Sequence, residues 1–290
     1  MWKTSSITIL PTRTCHRYSR NHYSRATFVK IARDVVILLA AALFAGQLTA
    51  TADEVEIKFV VKEAQVEKAI QALGLDAADA EKKTAYFFDT KDLSLFKQTG
   101  TSVILRARII AGENKVETTV KLRSKGRLEI EEEWRQKRRK GERLDRKFEK
   151  DQVVTKPAVE SYSLDDKEDS RAIQEVVAGR KSVKKILSAN QEDLVEAKTK
   201  PRLNWDKLQA LGPVKVMKWD FDAQGLHLVA ERWEFGDHAP TLEVSTKVDL
   251  SDAEEATNKL VAFLHKKGLR QDPRPETKTK EVLEYFASRN

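Results

Sequence analysis

The residues whose types and spacing could do chemistry begin at Glu54-Val55-Glu56-Ile57-Lys58. On a strand, side chains alternate between faces, so Glu54, Glu56 and Lys58 share one face and Val55, Ile57 and Phe59 the other. Successive charges on that face stand about 7 Å apart. Two neighbouring carboxylates repel unless a cation lies between them. Oxygen donors of this kind suit a hard divalent ion such as Mg²⁺ or Mn²⁺. A lysine two residues on suits an anion held by the same ion.

Further inward-capable charges follow at strand spacing. Thr101 to Ile110 reads as a strand with Arg106 and Arg108 on one face and Leu105, Ala107 and Ile109 on the other. Val116 to Arg123 reads as another, with Glu117, Thr119, Lys121 and Arg123 sharing a face. Arginine forks match phosphate oxygens in a bidentate manner, so a pair at i and i+2 is apt for a polyanion. Before these lies Tyr86-Phe87-Phe88-Asp89-Thr90, a strand running into a turn. Val214–Asp222, Leu226–Phe235 and Leu242–Val248 read as a meander carrying Lys218, Glu231, Glu243 and Lys247.

Taken in order, these pieces resemble the fingerprints of the CYTH superfamily, the triphosphate tunnel metalloenzymes, which include class IV adenylyl cyclases and thiamine triphosphatases. Glu54-x-Glu56-x-Lys58 matches the signature. The Tyr-Phe-Phe-Asp-Thr, Leu-Arg-Ala-Arg and Thr-Val-Lys segments follow at the family's spacing. Thr277-Lys278 resembles its closing segment. The resemblance implies an α+β fold: an antiparallel closed β-barrel of about eight strands, forming a tunnel, with helices packed outside. It implies Glu54, Glu56 and Lys58 as catalytic residues. Arg106, Arg108, Lys121, Lys218, Lys247 and Lys278 would bind substrate. Glu54, Glu56, Glu231 and Glu243 would bind Mg²⁺ or Mn²⁺. The implied activity is hydrolysis of inorganic triphosphate or another triphosphate. The alternatives are a non-catalytic polyphosphate-binding protein, an adenylyl cyclase and a purely structural barrel. One departure stands out: the second Glu-x-Glu of the family reads Glu243-Val244-Ser245.

Helices must frame such a barrel. Lys62–Leu73 has helical apolar spacing with Gly74 as C-cap. Asp169–Leu187 reads as a helix with Ile173, Val176, Val177, Val183 and Ile186 inward. Ser251 opens a helix to Lys267, and Thr277–Lys280 opens the last one. Glu129–Lys150 is densely charged and reads as a solvated excursion, with Glu131–Arg135 and Glu133–Lys137 at helical i, i+4 spacing. At its end Phe148-Glu149-Lys150-Asp151 can return carboxylates to the sheet.

Bulk properties fit one tunnel domain over residues 53–290. The chain has 290 residues and a net charge of +8. Residues 1–52 carry seven bases and one acid, so six of those positive charges lie there and two in the remainder. The basic excess therefore argues for no nucleic-acid partner. Val35–Leu48 is an apolar run, preceded by bases and followed by Ala50-Thr51-Ala52. It is short for a membrane span and has the layout of a signal peptide with a long basic n-region. The expectation is an exported, periplasmic or secreted protein that meets a membrane only transiently. An uncleaved anchor and an organelle transit peptide are the other readings. Cys15, in that segment, is the single cysteine, so residues 53–290 have no disulfide or thiolate chemistry. Gly179-Arg180-Lys181-Ser182 lacks the first glycine and leading strand of a P-loop. His227, His238 and His265 have no ligand spacing.

Overall fold

The computed structural model describes residues 53–124, 126–131, 134, 145–169 and 171–289. The expected leader over residues 1–52, Cys15, and the pairs Glu131–Arg135 and Glu133–Lys137 lie wholly or partly outside them.

Nine strands form a closed barrel: β1 (Glu54–Val60), β2 (Glu81–Asp89), β3 (Thr101–Ile110), β4 (Lys115–Ser124), β5 (Asp145–Val153), β6 (Val159–Asp169), β7 (Gln209–Ala223), β8 (Leu226–Glu234) and β9 (Thr241–Asp249). Around the barrel their order is β1-β5-β6-β4-β3-β2-β7-β8-β9, returning to β1. Eight contacts are antiparallel. The ninth, β1 with β5, is parallel, with Glu56 level with Asp151. The barrel thus has one strand more than the expected eight or so, and it is mixed.

The extra strand is β5. Asp145-Arg-Lys-Phe-Glu-Lys-Asp-Gln-Val carries charge on both faces, so it lacks the apolar alternation that marks a half-buried strand. It forms because its carboxylates find cations across the barrel, as described below.

Apart from β5, the strands have mostly apolar outer faces, and helices cover them. On one side α1 (Val66–Leu73) and, later in the chain, a helix over Ala253–Lys266 pack on β1, β7, β8 and β9. Val55, Ile57 and Phe59 of β1 are buried there against Leu260 and Leu264. Each such side chain contributes about 1.5–3 kcal/mol by leaving water. Gly74 ends α1 in the left-handed region at φ 69°, as its sequence position suggests.

On the other side α2 (Arg171–Val177) and α3 (Ala189–Lys198) cover β3, β4 and β6. The expected helix over 169–187 is shorter: Gly179 takes φ 70°, and only a 3-10 turn over Val183–Ile186 follows. Ile173, Val176, Val183 and Ile186 still reach the core. Sequence reading left α3 unassigned, although Ser188 and Gln191 sit at capping-box spacing. Gln191 accepts from the Ser188 backbone N–H at 3.1 Å. It also donates to the carbonyls of Leu164 (2.9 Å) and Thr118 (3.1 Å), tying α3 to β6 and β4 with no exposed surface.

With α4 naming the helix Ala253–Lys266, α5 (Lys278–Ala287) is the last helix among the described residues. Its Val282 and Leu283 pack with Ala85, Phe87, Val214, Val216 and Trp233. Phe87 and Ala85 lie opposite Arg106 and Arg108, so they share the inward face. This end of the barrel interior is therefore filled with apolar side chains beneath α5.

Candidate functional site

The rest of the interior is a cavity of about 300 Å³. Nine bases and seven acids line it, leaving a formal +2. A small closed barrel ordinarily packs its interior with apolar side chains. Unpaired charges in such a place would be prohibitively costly, so their pairing decides what the cavity can hold.

The first group gathers on Asp151, which is 5% exposed. Lys58 Nζ donates to Oδ1 at 2.7 Å, while Lys121 Nζ and Arg123 approach Oδ2, both at 2.9 Å. Glu56 lies 2.9 Å from the same Lys58. Burial pushes the Asp151 and Glu56 carboxyls up. The cations around Asp151, with Lys58 first, outweigh it and hold that group well below the carboxylate range. Lys58 also leads the forces that leave Glu56 lowered.

The second group centres on Lys278, at the start of α5. Its ammonium lies 2.5 Å from Glu231 and 3.0 Å from Glu243. Those two glutamates face each other across β8 and β9. The ring of Trp233 stacks 4.8 Å from Lys278, and its Nε1 donates to Glu231 at 3.2 Å. Thr277 caps the helix, so its positive dipole end also points at this region.

The third group lies on β3 and β4. Arg108 pairs with Glu117 at 3.1 Å. Arg106 donates to the Thr119 hydroxyl at 3.2 Å, and that hydroxyl donates to Asp165 at 2.6 Å. Lys147 holds the other oxygen of Asp165 at 3.0 Å. Among the described residues Arg106 is the cavity base with no carboxylate within ion-pair distance, and its Nε is buried without a partner. Burial, then the neighbouring Arg108, pull its pKa down to about 10.

The sequence-predicted residues divide accordingly. Glu56, Lys58, Arg106, Arg108, Lys121, Lys247, Lys278, Glu231 and Glu243 line the cavity. Lys247 there pairs with Glu149. Glu54 does not line it: its side chain is 53% exposed, 4.0 Å from Lys247. Lys218 lies opposite Glu231 on the inward face but turns to Asp220 at 2.9 Å, away from the cavity lining. The charged lining residues outside the expected site set are Asp151, Glu149 and Lys147 from β5, Lys156 after it, Asp165 from β6, and Arg123 and Glu117 from β4. For β5 the usable signal was an alternation of charge, Lys147-x-Glu149-x-Asp151, rather than of hydropathy.

The donor set suits a hard divalent cation in type. The inward acids offer oxygen, and among the described residues no histidine or cysteine lines the cavity. Among the described residues no three carboxylates stand together as a ready cluster. A cation shared by Glu231 and Glu243 would have to take both from Lys278.

Among solved structures, a candidate adenylyl cyclase from Hippeastrum, described as having a dominant triphosphatase activity, superposes with a TM-score of 0.55 at 18% identity. The alignment covers 80% of this chain and 95% of that one. The fold is that of the CYTH tunnel proteins. A candidate adenylate cyclase from Bacillus halodurans is similar, with a TM-score of 0.51 at 15% identity over 79% of this chain and 96% of that one. At these identities the likeness to CYTH proteins concerns the fold. No protein-family model and no curated protein matches the sequence.

Proposed function

We propose that the tunnel binds the phosphate chain of inorganic triphosphate, or of a larger molecule ending in one, and hydrolyses it with Mg²⁺ or Mn²⁺. The observation that carries this reading is Arg106, a guanidinium facing the cavity with no carboxylate within ion-pair distance and its Nε buried without a partner. Leaving a charge buried and unpaired is costly, and an anionic ligand removes that cost. Arg106, Arg108, Lys121 and Lys58 supply the forked and point-charge donors that phosphate oxygens take. They would also neutralise charge developing on the transferred phosphoryl group. The +2 lining falls short of a triphosphate's charge, which favours a divalent cation entering with it. Glu56, Glu231 and Glu243 would hold that cation. When bound, it supplies charge neutralisation and a water of lowered pKa.

A second reading, binding without hydrolysis, is favoured by Ser245. It sits opposite Lys58 on β9, where the family resemblance leads one to expect a carboxylate. Export remains part of the proposal, supported by the basic, apolar and Ala-x-Ala succession before residue 53.

The test is phosphate release from tripolyphosphate by the full chain, with EDTA, Mg²⁺ or Mn²⁺, beside ATP with detection of cyclic AMP. Metal-dependent release, lost in Glu56→Ala, supports hydrolysis. A raised melting temperature without release supports the binding reading. Absence of both release and stabilisation refutes the phosphate-chain reading.

A further inference from the structure

Around the cavity most charge is shared one to one, or one base serves two acids. Lys278 holds Glu231 and Glu243; Arg108 holds Glu117; Lys147 holds Asp165. Asp151 reverses the ratio, with one of its bases, Lys58, also serving Glu56 at 2.9 Å. Three cations from two strands, Lys58, Lys121 and Arg123, converge within 2.9 Å of one carboxylate. Arg123 is not saturated by it, since its Nε is buried without a partner. Two ammonium groups and a guanidinium around one small anion are the kit that holds a phosphate group. Asp151 enters this kit on β5, the strand that runs parallel to β1 and sets Asp151 level with Glu56.

We propose that Asp151 is a built-in competitor: it occupies, in the free protein, a phosphate subsite formed by Lys58, Lys121 and Arg123. This inference deepens the phosphate-chain reading and rests on it. An incoming phosphate group must displace the Asp151 carboxylate or share its cations with it, and like charges side by side oppose binding. A single phosphate seated there gains nothing further, and it can sit instead at Arg106 and Arg108, clear of Asp151. A chain anion gains more, because a second phosphate group can engage Arg106 and Arg108 on β3. Asp151 therefore sets a threshold that keeps a lone orthophosphate or sulfate out of this subsite and admits the longer chain. It acts as a specificity residue through its charge, while the three bases do the binding.

The test compares the full-length wild type with Asp151→Asn, which keeps the shape and removes the charge. Orthophosphate, pyrophosphate and tripolyphosphate are titrated in EDTA and again in Mg²⁺, by calorimetry and by melting temperature. The expected wild type is stabilised far more by tripolyphosphate than by orthophosphate, which reaches only Arg106 and Arg108. The expected variant melts lower when free, is rescued by orthophosphate, and binds tripolyphosphate about tenfold tighter or more. A folded variant whose tripolyphosphate affinity is unchanged or weaker overturns the inference and leaves the phosphate-chain reading intact. Failure of every phosphate to bind either protein overturns both. The wild type alone decides the matter if the variant does not fold: equal stabilisation by orthophosphate and tripolyphosphate would refute a threshold.

Discussion

Replacing Lys278 by methionine keeps most of its volume and removes one ammonium. That ammonium lies 2.5 Å from Glu231 and 3.0 Å from Glu243, two acids whose strands place their Cβ atoms about 5 Å apart. Its side chain is 9% exposed, against 23% for Glu231 and 7% for Glu243. Removing one partner of a buried ion pair costs about 3–5 kcal/mol. The partial exposure of Glu231 places the expected cost near the lower end, about 3 kcal/mol. At about 2–4 °C per kcal/mol for a domain of this size, the melting temperature should fall by roughly 10 °C at neutral pH.

The pH dependence carries the sharper test. In the wild type burial pushes the Glu231 carboxyl up, but Lys278 and then Arg108 outweigh it and hold the group well below its ordinary value. A depressed folded-state value gives stability that is present above the ordinary carboxyl range and lost as pH falls through it towards the folded value. In Lys278→Met the sign reverses. Two facing carboxylates share a site, one of them titrates high, and taking up a proton relieves the repulsion. The gap between the two proteins should therefore close as pH falls from about 7 to about 4. Calorimetric melting at several pH values in that range measures it. A gap of less than roughly 2 °C at neutral pH, or one that does not change with pH, would refute the role given to Lys278.

Arg106→Gln should leave stability nearly unchanged, because the cation it removes has no carboxylate to abandon. Tripolyphosphate binding should weaken by about 10- to 100-fold, the worth of a charge-assisted hydrogen bond, as read by calorimetric titration. Glu54→Ala, at the exposed rim, should change stability by less than about 0.5 kcal/mol in chemical denaturation. Gly212→Ala should destabilise by about 1–3 kcal/mol, since its Cβ would meet Tyr86 Cδ1 at 2.9 Å and the Ala85 carbonyl oxygen at 3.0 Å. Leu260→Ala, fully buried on α4, should cost about 2–5 kcal/mol through the cavity it leaves; denaturant midpoints of both variants check these values.

Much of the barrel was legible locally. The two-residue alternation of Glu54–Phe59, Thr101–Ile110 and Val116–Arg123 assigns each residue to a face, because strand geometry is a property of neighbours in sequence. Gly74 and Thr277 marked helix ends for equally local reasons. The same locality left β5, whose two faces are both charged, marked only by the return of Glu149 and Asp151 to the sheet, and let one helix be read through Gly179, where the backbone turns left-handed. α3 escaped because its apolar residues form no continuous stripe. Its hold on the barrel is Gln191, whose partners lie 27 and 73 residues away.

The sequence by itself thus determined which side chains share a face on the strands it marks, and hence that one of those faces is charged. Only the tertiary structure decided which charge meets which. Lys58 and Asp151 are 93 residues apart, and Lys278 and Glu231 are 47 apart. Their pairing depends on closure of the barrel, above all on β5 inserting parallel to β1 between it and β6. The energy of a buried charge is set by its nearest partners across space. That is why the convergence of three bases on Asp151, and the position of Arg106 without a counter-charge, appear only once the strands are joined.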